Sequence, residues 1–118
     1  MNRNDLIMEY RRRKSNHLKH FGRKEKAEIY KAVVDSYRKR NVYEFYSVCM
    51  EEMGELTQKI SKHLRGKIGD NDVEILEEIA DVQIYLEALK VFMNTDSEDM
   101  AYIEDVKLNR LKDRHMKN

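Results

Sequence analysis

Apolar residues recur along this chain at steps of three and four, the period of one face of an α-helix, with polar residues between them. Val42, Phe45, Tyr46, Cys49, Met53, Leu56, Ile60 and Leu64 hold that spacing across residues 41–65 and predict the most sustained amphipathic helix. Ala27, Tyr30, Val33, Val34 and Tyr37 predict another over 23–39. Leu6, Ile7 and Tyr10 predict a basic, weakly amphipathic helix over 2–20, ahead of Gly22. "RGKIGDN" at 65–71 reads as a loop. Asn71, with Glu74 three residues later, is a capping-box pattern that starts a fourth helix running to Met93. "NTDSED" interrupts the period and offers Thr95, Asp96 or Ser97 as the cap of a fifth helix over 98–115, which carries Met100, Ile103, Val106 and Leu111. The expectation is an all-α helical bundle of four to five helices.

Composition agrees, because Pro and Trp are absent and only four Gly occur in 118 residues. That length fits one domain with a modest core, and residues 1–22 read as a basic helix or arm ahead of it. A single cysteine, Cys49, forms no internal disulfide framework and no Cys-rich zinc site. With no signal peptide and no apolar run of membrane-spanning length, the expected setting is reducing and cytoplasmic.

Charge changes the picture more. The formal net charge is +1, yet residues 1–40 carry 13 Lys/Arg against 5 Asp/Glu, residues 41–105 carry 5 against 16, and residues 106–118 carry 5 against 1. An acidic middle is flanked by basic ends. Such segments either pack on one another, or hold a cation in the middle and an anionic ligand at the ends.

The acids of the middle fall where a core belongs. Counting in helical steps from Glu78 gives Val82, Tyr85 and Leu89, and from Asp81 gives Ile84, Tyr85, Ala88 and Phe92. Glu52 falls in line with Phe45, Val48, Cys49 and Leu56, whereas Glu51 and Glu55 lie toward the polar edge. Like charges at helical spacing cost roughly 0.2–0.5 kcal/mol per pair, and a buried carboxylate must be protonated, paired or metal-bound. Glu52, Glu55, Glu78 and Asp81, at i,i+3 spacing on two helices, form an oxygen-only set suited to Mg²⁺ or Mn²⁺. A ferritin-like di-iron site needs Glu-x-x-His, and none of His17, His20, His63 or His115 follows a Glu by three.

Glu51-Glu52-x-x-Glu55, a spacer, then Glu78-x-x-Asp81, set in "EEMGELTQKISKHLRG" and "LEEIADVQIYL", resembles the E-E-x-x-E and E-x-x-D signature of MazG-like nucleoside triphosphate pyrophosphohydrolases, in the all-α NTP pyrophosphatase superfamily. The likeness covers roughly residues 25–114, so residues 23–118 would be the enzymatic domain. It implies Mg²⁺-dependent cleavage of a (d)NTP between the α and β phosphates, giving monophosphate and pyrophosphate, as house-cleaning of the nucleotide pool. Glu52, Glu55, Glu78 and Asp81 would bind the metal, and Glu51 would orient or deprotonate the attacking water. Lys107, Arg110 and Arg114, on one face of the fifth helix, would meet the triphosphate; the family's Lys-x-x-x-Asn pattern is altered here, with Leu111 four residues after Lys107. The resemblance also implies a homodimer or homotetramer whose second copy completes the core. Apolar surface on the third and fourth helices beyond what one short chain covers agrees, and Tyr46, Met50, Met53, Tyr85 and Phe92 read as core or interface. A competing reading makes the chain a nucleic-acid-binding or regulatory module through "RRRK" at 11–14, although that run is short and lacks interleaved aromatics.

Overall fold

The structure is a computed structural model that describes residues 2–14, 18–66 and 72–116. The described residues form five helices: α1 (Arg3–Lys14), α2 (Arg23–Arg40), α3 (Val42–Leu64), α4 (Asp72–Phe92) and α5 (Ser97–His115). No strand occurs among the described residues, and no described helix is long and apolar enough to cross a membrane.

Local chemistry sets most boundaries. Asn41 serves two helices: its N–H donates to the Tyr37 carbonyl at the end of α2, and its Oδ1 accepts from the Tyr43 N–H at the start of α3. At the start of α2 the Gly22 N–H donates to Glu25 Oε1. The α3 helix ends at Arg65, followed by Gly66 at φ +92°, a left-handed position that glycine adopts without strain. Asp96, among the three expected caps, starts α5 by accepting from the Glu98 N–H at 2.7 Å. The first helix is shorter than its apolar spacing predicts. Its described residues end with Arg11, Arg12, Arg13 and Lys14, whose charges suit the negative end of a helix dipole; residues 15–17 lie outside the described residues, and residues 18–22 are not helical. The expected Asn71 cap of α4 lies outside the described residues.

The bundle is built on α3 and α4, which run antiparallel, with α2 against both and α1 against α4 alone. Val34, Phe45, Cys49 and Ala88 form the buried core, with Tyr37, Tyr85, Leu89 and Phe92 packed around it. Phe45 is fully buried, stacked on Phe92 at 4.8 Å between ring centroids and tilted against Tyr37 at 5.5 Å. Burial of such a side chain is worth about 1.5–3 kcal/mol. The Arg38 guanidinium crosses from α2 to donate to the Phe92 carbonyl and covers the Phe92 ring.

The bundle is open. Accessible surface is 9948 Å², against about 6,800 Å² for a compact monomer of this mass. The radius of gyration is 17.5 Å, against roughly 13.5 Å for a compact chain of this length. The α5 helix packs on no other described helix and has no fully buried residue. Asn94, at φ +53°, turns the chain out of α4. Only the first turns of α5, at Met100, Ala101 and Glu104, face Glu87, Lys90 and Val91 across a cleft. A wider apolar groove of about 900 Å³ opens between α2 and α4, lined by Ile29, Tyr30, Ala80, Ile84 and Leu89.

Candidate metal centre

Two helices supply the acids. On α3, Glu52 continues the stripe of Phe45 and Cys49, so the helix that buries those residues turns Glu52 partly inward; Glu51 and Glu55 are exposed. On α4, Glu78 is half-buried one turn from Val82 and two from Tyr85, while Asp81 is exposed. The α3–α4 register brings the two sets together. Lys59 Nζ pairs with Glu74 Oε2 at 3.1 Å, and one turn back along α3 and forward along α4 Glu55 meets Glu78.

The convergence is tight. Glu52, Glu55 and Glu78 each offer a carboxylate oxygen, and these three atoms lie within 4.8 Å of one another. Glu52 Oε2 and Glu78 Oε2 are buried atoms without a hydrogen-bond partner. Burial first, and then the neighbouring acids Glu55, Asp81, Glu78 and Glu51, pushes the Glu52 carboxyl up from its ordinary range. Glu78 is raised in the same way, by burial and then by Glu55 and Asp81, with Lys59 opposing. Nearby lies Tyr85, whose phenol is pushed up by burial, then by Tyr37 and Glu52.

Asp81 stands outside the group of three, although its charge acts on both Glu52 and Glu78. It is turned toward α1, where it also acts on Tyr10. Lys107, Arg110 and Arg114 are exposed on α5, which stands clear of α3 and of the acidic part of α4 within the chain. Sequence spacing gave no hint of two neighbours of the acids, the Lys59–Glu74 bridge and the Tyr10 hydroxyl that donates to Glu77 Oε2 at 3.3 Å. Both are contacts between helices, which spacing along one helix does not encode.

The donor set fits a hard divalent cation: three anionic oxygens converge, two carboxylates have unsatisfied buried oxygens, and their raised proton affinity marks a place where positive charge is lacking. A pH dependence follows. Glu52 and Glu78 hold protons more tightly folded than unfolded, so their contribution to stability is complete below the ordinary Glu value of about 4.3 and is lost as pH rises through their raised folded values. Relative to a Glu52→Gln/Glu78→Gln variant, the metal-free protein is expected to lose melting temperature as pH climbs from that value toward neutrality. Mn²⁺ is expected to reverse the trend; at a hundred times its dissociation constant it adds about 2.7 kcal/mol, roughly 10 °C. Melting curves in chelator and in Mn²⁺ read both effects, and parallel curves for the two proteins would remove the site.

No family model, curated protein or solved structure matches the chain.

Proposed function

We propose that the chain is a Mg²⁺-dependent nucleotide pyrophosphohydrolase of the MazG-like kind, active as a homo-oligomer. The observation that carries the reading is the convergence of Glu52, Glu55 and Glu78 from two antiparallel helices, with two buried oxygens left unpartnered. Glu52, Glu55 and Glu78 would hold the ion, and Asp81, adjacent and exposed, would join on the substrate side. Bound Mg²⁺ supplies polarisation of the phosphoryl oxygens and neutralisation of their charge.

The remaining work falls to the chain's own groups. Glu51 is exposed beside Glu52 on the polar edge of α3, where it can hold a water and accept its proton. That water's oxygen bonds to the α-phosphorus as the bond from the α-phosphorus to the bridging oxygen breaks; pyrophosphate leaves and the monophosphate remains. Lys107, Arg110 and Arg114 would counter the charge of the phosphates. Because α5 stands clear of the acids in its own chain, the reading assigns that role to α5 of a second copy.

Oligomerisation is supported by area. The surface exceeds that of a compact monomer by about 3,000 Å², and the exposed apolar residues include Tyr46, Met50 and Met53 on α3 and Ile103 and Leu111 on α5. A second copy covering these faces would bury an area typical of obligate dimers, roughly 2,000–5,000 Å² in total.

A panel of NTPs and dNTPs incubated with Mg²⁺ or Mn²⁺ tests the activity. Monophosphate and pyrophosphate are expected in equal amounts, and chelator is expected to abolish both. Orthophosphate release, or no product from any member of the panel, would sink the reading.

A further inference from the structure

The first helix has found a specific neighbour. Leu6, Ile7 and Tyr10 are half-buried, and α1 packs on α4 and on no other described helix. Its anchoring contact is at the acidic site: the Tyr10 hydroxyl donates to Glu77 Oε2, next to Glu78 in sequence. The same phenol lies within electrostatic reach of Asp81 on α4 and of Arg13 on its own helix. Arg13 and Lys14 follow Tyr10 by three and four residues, so they continue the face that α1 turns to α4. Lys14 Nζ lies 5.8 Å from the centre of the Tyr10 ring, and residues 11–14 are exposed.

Charge gives this placement a consequence. Glu51, Glu52, Glu55, Glu77, Glu78 and Asp81 occupy adjacent turns of α3 and α4, and Lys59, which acts on Glu78, is also paired with Glu74. One or two divalent ions do not cancel six carboxylates, and a triphosphate brings further negative charge. Cations must therefore stand beside the ion for the phosphates to settle there. Within one chain α5 packs on no described helix, whereas α1 packs on α4 and its Tyr10, one turn before Arg13 and Lys14, is hydrogen-bonded to Glu77.

We propose that Arg11, Arg12, Arg13 and Lys14 form a cationic subsite, held against α4 by Tyr10 and Glu77, for the polyphosphate of a metal-bound nucleotide. The subsite rests on the pyrophosphohydrolase reading above, since it takes its ligand from that metal centre. A short basic run that gave little purchase as a nucleic-acid motif then has a different use. It meets phosphates that the acidic middle could not approach unaided.

The test uses the full-length chain, titrated first with Mn²⁺ and then, at saturating Mn²⁺, with inorganic tripolyphosphate, which carries no base. The native protein is compared with Arg11→Gln/Arg12→Gln/Arg13→Gln/Lys14→Gln and with a control that loses as many charges from α2, Arg23→Gln/Lys24→Gln/Lys31→Gln/Lys39→Gln. Arg13→Ala/Lys14→Ala serves as a milder variant should the first lose its helix. Expected is a loss of tripolyphosphate affinity of about tenfold or more in the α1 variants alone, largest at low salt, with Mn²⁺ affinity held within about twofold. Unchanged tripolyphosphate binding, or an equal loss in the α2 control, overturns the subsite while leaving the metal centre standing. A native chain that takes up neither Mn²⁺ nor tripolyphosphate fails the functional reading itself, and the subsite with it. Metal-independent binding of a DNA duplex, lost in the α1 variants while tripolyphosphate binding stays intact, assigns the helix to nucleic acid and overturns the proposal.

Discussion

Glu52→Gln is expected to make the metal-free protein more stable and the enzyme almost inactive, two effects of opposite sign from one uncharged atom. The native carboxylate is half-buried, has an unpartnered oxygen, and is opposed by Glu51, Glu55, Glu78 and Asp81. An amide removes that repulsion and brings N–H donors that Glu55 or Glu78 can accept. At a few tenths of a kcal/mol per like-charge pair, the gain is about 1 kcal/mol, near 4 °C in melting temperature. The same substitution takes away an anionic ligand. Loss of an outer-shell partner of a metal ligand already costs 10–100-fold, so metal affinity and turnover are expected to fall by at least about a hundredfold. Glu78→Gln should repeat the pattern. Glu51→Gln should separate its parts, keeping the Mn²⁺-induced rise in melting temperature while turnover falls by about 10²–10⁴, because the role proposed for that side chain is toward the water and not the ion. Melting curves with and without Mn²⁺, read beside pyrophosphate release, decide the matter. A less stable Glu52→Gln with full activity would mean that the acids serve the fold alone.

The second large effect concerns α5. Its 19 residues bury nothing, yet Ile103, Leu108 and Leu111 stand on it at roughly half-exposure or more. A helix of that length with a sparse apolar stripe is marginal in water without a partner. Sedimentation is expected to give twice the 14.2 kDa chain mass, and Ile103→Glu/Leu111→Glu is expected to give a monomer with reduced helicity. Since Lys107, Arg110 and Arg114 ride on the same helix, that variant should lose hydrolysis as well, with its Mn²⁺ binding spared because the three converging acids come from one chain. A native chain that sediments as a helical monomer would contradict the arrangement.

Much of the fold could be read from spacing because the strongest stripe and the best-packed helix coincide. Phe45 and Cys49 of α3 are buried as their period requires, and Glu52 in the same column is drawn partly inward. The columns counted from α4 divided: Ala88 is buried, whereas Ile84 and Asp81 are exposed. Asp81 shared its column with core positions, but the edge of α4 that it occupies is turned toward α1, whose docking depends on Tyr10 and Glu77, residues 67 positions apart. The expected helix over 2–20 fails at residues 18–20, which are not helical; Leu18 and Phe21 in that stretch are exposed, so no packing holds a helix there. Likewise, the apolar spacing of α5 announced a helix but carried no information on which chain it packs against. Periodicity reports what one helix offers, and partners are settled by contacts between helices.

The pairing of α3 with α4 has a consequence for how the molecule opens. Near one end the two helices are locked by stacked rings, Phe45 on Phe92 with Tyr46 edge-on at 5.2 Å. Toward the other end they are joined by the exposed Lys59–Glu74 bridge, of a kind worth little by itself. The crowded acids lie between. Amide protection should therefore be uneven along α3, deep around Phe45 and Cys49 and shallow past Glu55, with the repelling carboxylates as the boundary of the cooperative unit. A cation seated among them would reverse their sign as a joint and carry that boundary down the hairpin, so that part of the domain's folding would be completed by the ion.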